Sequence, residues 1–284
     1  MKCVFIGGGA MATALIGGMV DNGKNAAHIK VVDPDEGQRA RMTAAYPQMQ
    51  CYPSLASNIF DGVDIVVLAV KPQHLQTVAR QLAPFTPVIP AVLSIAAGVR
   101  AKDLSRWLSD YPAVIRAMPN TPAQVGAGHT GIYAMPGVND AARHCAHELL
   151  ESVGNVVWLN REEMLDIMTA LSGSGPAYVF YFLENLEAAA RSLNLQEEEA
   201  HAIALSVLSG GLALARHGNT PFAELRARVT SKGGTTESAI RVLDQAGVSQ
   251  TFQNAVHAAW QRSMELGDEL GVDQAIDTPR PLAE

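Results

Sequence analysis

Apolar residues run in short unbroken blocks through the first half of the chain. Residues 2–6, 28–32, 64–70, 88–95, 113–117, 130–133 and 156–159 are rich in Val, Ile, Leu and Ala, and helical spacing separates most of them. Such blocks, without polar alternation, fit strands buried on both faces, and their alternation with helices predicts a parallel sheet covered on both sides. Pro90 has no N–H to give a ladder, so the regular part of its strand is expected to start just after it. From about Glu162 the strand pattern stops. Helical spacing takes over at 176–193, 197–216, 221–229, 235–244 and 250–270, with Pro176 and Pro221 where a first turn tolerates a missing donor. The pattern predicts an α/β protein with a doubly wound sheet over 1–160, an all-helical domain over 161–272 and a loose tail over 273–284, the polar stretch beginning at Asp268.

The late helices are apolar over wide faces, as in 179–183 and 202–212. Helices that are apolar nearly all round need more interior than one small bundle supplies, so an interface between subunits is expected. Gly210, Gly211, Ala213 and Ala215 suit close helix approach, between subunits or within one. With 284 residues the chain is long enough for two domains, and 48% hydrophobic residues can fill large cores. A net charge of -7 argues against nucleic acid or an anionic membrane as partner. No apolar run reaches the roughly 20 residues that span a bilayer, and Gly7 to Gly9 interrupt any signal-peptide pattern, so a cytoplasmic location is expected. The three cysteines have no metal-ligand spacing, none of the eight histidines stands in one, and no metal site is expected.

Candidate chemistry begins where the first strand runs into Gly7-Gly8-Gly9-Ala10-Met11-Ala12 and a helix. This GxGxxA pattern has a glycine for the tight turn, a second for backbone approach to a pyrophosphate, and a small third residue for helix packing. The strand, turn and helix context and Asp33 at the end of the second strand make a dinucleotide site the reading of this segment. Asp33 itself, a carboxylate where a ribose 2'-hydroxyl would bind, favours NADH over NADPH. Ala69-Val70-Lys71-Pro72, Ser94-Ile95-Ala96-Ala97-Gly98 and Met118-Pro119-Asn120-Thr121-Pro122 close three later strands, where a doubly wound sheet presents ligands. Lys71 either approaches a phosphate or is a solvated loop lysine; Asn120 either contacts a ligand or belongs to a plain turn.

Two Gly-rich segments open helices in the second half. Ser172-Gly173-Ser174-Gly175-Pro176 is either a hinge or a set of donors. In Thr230-Ser231-Lys232-Gly233-Gly234-Thr235-Thr236, a helix N-terminus beside two glycines and two hydroxyls forms a cradle for a small anion, with a helix cap as the simpler alternative. The absence of a Ser/His/Asp set leaves hydrolysis without support and fits hydride transfer, where a cofactor carries the hard step.

Five motifs in order, residues 5–9, 69–72, 118–122, 172–178 and 230–236, make the chain resemble the pyrroline-5-carboxylate reductases over nearly its whole length. The resemblance implies a Rossmann domain that binds NADPH, with NADH tolerated, and an all-helical C-terminal dimerisation domain. It also implies a homodimer through the C-terminal helices, with a ring or decamer built from such dimers. The reaction it implies is reduction of the C=N of 1-pyrroline-5-carboxylate, a small-molecule substrate, to proline. Its cofactor contacts carry over onto Ile6, Gly7, Gly8, Gly9, Ala10, Met11, Asp33, Ala69, Val70, Lys71 and Pro72, with Ala96, Ala97 and Asn120 on the nicotinamide side. Its substrate contacts carry over onto Gly233, Gly234, Thr235 and Thr236, Thr236 serving the imine nitrogen, and the ring packs near Ser174. Ala10 and Ala56 replace side-chain amides that the family often has, and Asn58 is the nearby candidate to replace the second.

Overall fold

The computed structural model describes residues 1–273 and divides into two compact units, one of residues 1–173 with the chain from 259 onward, the other of residues 174–258. The first unit is built on one eight-stranded sheet: β1 (Cys3–Ile6), β2 (Ile29–Val32), β3 (Gln50–Tyr52), β4 (Ile65–Leu68), β5 (Val92–Ser94), β6 (Val114–Met118), β7 (Gly128–Ala134) and β8 (Gly154–Trp158). Their spatial order is β3-β2-β1-β4-β5-β6-β7-β8. Around the sheet lie α1 (Ala10–Asp21), α2 (Glu36–Ala45), α3 (Pro72–Leu82), α4 (Ala101–Trp107), α5 (Asp140–Glu151) and α6 (Met164–Met168), the last continuing as a π-helical turn over Thr169–Gly173.

Alternation along each strand distributes the core. Cys3 and Phe5 of β1 face one layer with Leu15, Ile16 and Met19 of α1 and Leu149 of α5; Val4 and Ile6 face the other with Leu75, Ala79 and Leu82 of α3 and Leu104 of α4. All these residues are buried, and each Leu, Ile or Phe contributes on the order of 1.5–3 kcal/mol. Burial pushes the Cys3 thiol up to about 12, which leaves it a core hydrophobe rather than a nucleophile.

Two features of the sheet differ from the sequence reading. β3 is a three-residue edge strand with an exposed first residue, and carries no apolar block to reveal it. β7 runs antiparallel to β6, and β8 pairs parallel to β7, so the sheet is mixed rather than parallel throughout. The link from β6 to β7 holds only a short 3-10 turn, Thr121–Val125, too short for the crossover that a parallel return needs. The polar stretch from Asp268 is also more ordered than expected at its start. Its helix runs to Leu270, and the Asp273 carboxylate accepts from Gln76 Nε2 and Trp107 Nε1 at 2.9 Å each, Arg80 Nη2 at 3.2 Å and Arg106 Nη2 at 3.4 Å. The remainder of the expected tail, residues 274–284, lies outside the described residues.

The second unit is helical: α7 (Gly175–Ser192), α8 (Glu197–Arg216), α9 (Phe222–Arg228), α10 (Thr235–Gln245) and the first part of α11 (Val248–Leu270), whose remainder belongs to the first unit. These bounds lie within two residues of those read from the sequence. A capping box formed by Gln196 and Glu199 starts α8. Ala200 and Ala204 are buried, whereas Phe180, Tyr181, Phe182 and Leu214 are more than half exposed. No described helix is long and apolar enough to cross a membrane.

The Asp273 contacts give a test. Its hydrogen bond from Trp107, with Arg106 and Arg80 beside it, holds its carboxyl below the ordinary aspartate range. A depressed folded value means the contribution is complete above the unfolded pKa of about 3.9 and disappears as pH falls through the lower folded value. Asp273→Asn should therefore lower the melting temperature at pH 7, with the difference shrinking as pH falls below the ordinary aspartate range and through the lower folded value. A difference that persists unchanged in acid would show that charge is not what Asp273 contributes.

Candidate active site

The carboxyl ends of β1 and β4 diverge where the strand order reverses, the position at which doubly wound sheets hold ligands. Gly7, at φ +97°, turns the chain there, and its N–H donates to Val32 O at 2.8 Å. A Cβ on Gly7 would lie 2.7 Å from Ala69 O, so the residue must be glycine on both counts. Gly9 is the N-cap of α1, and no side chain caps that end. A Cβ built on Gly9 meets nothing within 4 Å. An uncapped helix N-terminus beside open space offers N–H groups and partial positive charge to a pyrophosphate, so the chain fits a dinucleotide on its own geometry.

A crevice of about 1120 Å³ opens from this turn. Ile6, Gly7, Gly9, Asp33, Ala69, Val70 and Lys71 line it, together with Ser54, Leu55, His74, Thr77, Val78 and Phe85. Lys71 is the N-cap of α3, and Pro72 takes the first helical position. Asp33 is tied down on both oxygens: Oδ2 accepts from the Gly8 N–H at 2.7 Å and Oδ1 from the Asp35 N–H at 2.9 Å. Gly8 O is bonded by Gln38 Nε2 and by Thr13 Oγ1. Arg39 Nη1 donates to Asp33 O and Pro34 O at 2.8 Å each, which places a guanidinium beside the Asp33 segment. Ser54 and Leu55 escaped the sequence reading because β3, which leads to them, was missed, and Phe85 because it lies in a 3-10 turn after α3 that carries no motif. Neither Ala56 nor Asn58 lines the crevice, and Asn58 O instead accepts from Lys30. Ala10 and Met11 are the first residues of α1, and Ala10 lines a separate groove of about 920 Å³ on the outer side of that helix.

The remaining cofactor candidates sit at the carboxyl ends of β5 and β6, along the same edge of the sheet as Gly7 and Ala69. Ala96 is buried with its N–H 3.3 Å from Ser94 Oγ, and Ala97 is half-buried. Asn120 is buried, and its amide works inside the protein: Oδ1 accepts from the His129 N–H at 2.8 Å and Nδ2 donates to Ser172 O at 3.0 Å.

The substrate candidates belong to the second unit. Gly234 is the N-cap of α10, again with no side-chain cap, and Gly233 has φ +73°. The Gly233 N–H donates to Glu237 Oε2 at 2.7 Å, so a carboxylate already occupies the place the sequence marks for an anion. Glu237 was not singled out from the sequence, although its spacing of four residues from Gly233 allows this contact. Thr235 is exposed and Thr236 half-buried. Ser174 is the N-cap residue of α7, with no side-chain cap bond.

A glycine turn at a sheet switch point beside a crevice of this size places the first unit in the class of Rossmann-type dinucleotide-binding domains. A family model described as "NADP oxidoreductase coenzyme F420-dependent" matches residues 2–98, and one described as "Pyrroline-5-carboxylate reductase dimerisation" matches residues 162–266. Pyrroline-5-carboxylate reductase of Pseudomonas aeruginosa is 40% identical over 95% of this chain and 98% of its own, and that of Haemophilus influenzae is 36% identical over 92% and 96%. The structure of a pyrroline-5-carboxylate reductase from Coxiella burnetii superposes with a TM-score of 0.86 at 34% identity, covering 93% of this chain and 98% of that one. A Plasmodium falciparum pyrroline carboxylate reductase with NADP bound gives 0.82 at 27%, over 94% and 98%. The chain belongs to the pyrroline-5-carboxylate reductase family. Its activity is the NAD(P)H-dependent reduction of the C=N of 1-pyrroline-5-carboxylate to proline.

Gly9 separates fold from binding. Because a methyl group there meets no protein atom within 4 Å, Gly9→Ala should leave the melting temperature within about 1 °C of the parent while weakening dinucleotide binding roughly tenfold or more in a fluorescence titration. Parental affinity would place the pyrophosphate elsewhere.

Proposed function

We propose that residues 6–11 cradle the pyrophosphate of NADPH, that Asp33 with Arg39 borders the adenosine ribose, and that Ala69, Val70, Lys71 and Pro72 form the facing wall. Ala96, Ala97 and Asn120 then border the nicotinamide, Asn120 through its backbone, because its amide is already committed. When bound, NADPH supplies the hydride that reduces the imine carbon. Gly233, Gly234 and Thr235 hold the substrate carboxylate at the start of α10, and Ser174 borders the ring. The observation that carries this reading is the Glu237 carboxylate on the Gly233 N–H, which supports an anion-accepting α10 N-terminus.

Reduction also needs one proton on the ring nitrogen. The Thr236 hydroxyl is far too weak an acid to give it up outright, so its role is to hydrogen-bond that nitrogen and relay a proton from water. Both oxygens of Asp33 accept backbone N–H groups, which offsets part of the repulsion a 2'-phosphate would meet there. NADPH is the cofactor, with NADH tolerated. The exposed apolar faces of α7 and α8 support a homodimer, with larger rings built from it, working in the cytoplasm.

Two measurements test this. Thr236→Ala should lower kcat about 100-fold while leaving NADPH affinity within about twofold; equal loss of both would remove Thr236 from the chemistry. Phe180→Glu, which puts a charge on an exposed apolar face, should shift the mass seen by light scattering toward monomer and lower activity with it. Parental mass would place the interface on other residues.

A further inference from the structure

Two carboxylates stand behind the loops at the carboxyl ends of β5 and β6. Asp166 of α6 is 3% exposed. Its Oδ2 accepts from Arg100 Nη1 and its Oδ1 from Ser263 Oγ of α11, each at 2.7 Å. Just upstream, Glu162 Oε1 accepts from the Ala101 N–H and from Arg116 Nη1, each at 2.6 Å. Arg100 is the N-cap of α4, and directly before it the chain passes through Ala97 and Gly98.

Packing confines the same loop from the other side. Gly98, at φ +81°, lies so close to α11 that a Cβ would sit 2.8 Å from Leu270 Cδ1, and a Cβ on Gly267 would sit 2.6 Å from Arg100 Nε. The segment bearing both carboxylates then reaches the neighbouring loop, where Asn120 Nδ2 donates to Ser172 O and Met118 Cε lies against Gly173. One stretch, residues 162–173, thus fixes both loops at this end of the sheet. Apolar side chains of equal volume would stabilise the packing as well as a buried ion pair does, but would not dictate orientation to the same degree.

We propose that Asp166 is a positioning residue for hydride transfer: by fixing Arg100 against α11 it sets the loop of residues 95–98 at the distance the nicotinamide ring requires. The inference rests on the placement of the nicotinamide beside Ala96, Ala97 and Asn120. Arg100 is anchored through its guanidinium, so loss of charge at Asp166 releases the loop without emptying the core.

The test uses the whole enzyme and two ligands: NADPH, and 2',5'-ADP, which has the adenosine 2'-phosphate end and no nicotinamide. Asp166→Asn keeps the side-chain volume and can still accept from Ser263, but lacks the charge that orders Arg100. It should weaken NADPH binding about tenfold and lower kcat, with 2',5'-ADP affinity within about twofold of the parent. Should that variant fail to fold, Ser263→Ala, which removes one hydroxyl, should show the same asymmetry at about threefold. Equal weakening of both ligands, or parental affinity for both, in whichever variant folds, overturns the proposal. Ala97→Phe checks the underlying placement separately. If it binds NADPH as the parent does, the nicotinamide is not beside Ala97 and the site reading fails independently of Asp166.

Discussion

The close approach of the β1–α1 turn to the end of β4 decides where the rest of the dinucleotide unit can go. At Gly7 the chain needs a positive φ and has no room for a side chain, since Ala69 O and Val70 Cγ1 lie 2.7 and 3.0 Å from where a Cβ would be. Any other residue would force the turn and β4 apart. With the turn seated there, α1 begins at Gly9 without a cap, its N–H groups face the carboxyl edge of the sheet, and the crevice opens beside Asp33 and Lys71. Asp33 joins the end of the second strand to the same turn through the Gly8 N–H, so two walls of the crevice are tied together.

That coupling explains why a residue-by-residue rule misleads at Asp33. An acid at the end of the second strand is read as a 2'-hydroxyl acceptor because it is assumed to face the ligand unpaired. Here two backbone donors take its oxygens, and Arg39 bonds the carbonyls of Asp33 and Pro34. The local field beside Asp33 therefore includes two N–H dipoles and a guanidinium as well as the carboxylate. Sequence shows the charge; only the fold shows what the charge is already bonded to.

The same distinction separates what was legible from what was not. Helices α8, α10 and α11 could be bounded closely because caps, prolines and 3.6-residue spacing are local signals. The buried strands were visible as apolar blocks for a similar reason, and the glycine turn because steric need at Gly7 admits a single residue type. β3 was lost because a three-residue edge strand buries too little to need an apolar block. The reversal at β7 was readable in principle from the short link after β6, but the apolar block over 130–133 looks the same in either direction. Asp166, Ser263 and Asp273 were invisible, since their partners lie 66 to 197 positions away and nothing local marks a carboxylate that will be buried or bonded.

The second unit shows the opposite balance, and it bears on how the site can work at all. Ala200 and Ala204 are its fully buried apolar residues, while α7, α9 and α10 have none. Phe180, Tyr181, Phe182, Leu205, Leu212 and Leu214 remain exposed at about half of their surface or more. Burying such a side chain contributes about 1.5–3 kcal/mol, against a total domain stability of about 5–15 kcal/mol. These side chains are already partly buried, so covering half of them in a dimer would contribute roughly 2–5 kcal/mol, a sizeable fraction of an ordinary fold's stability. Thr235 and Thr236 stand on α10, a helix with no buried residue of its own, so the order of the proposed substrate cradle depends on that covering. On the proposed site, assembly and catalysis are linked through α10: the helix proposed to offer hydroxyls to the substrate has no buried residue of its own and needs a covering surface to hold it in place.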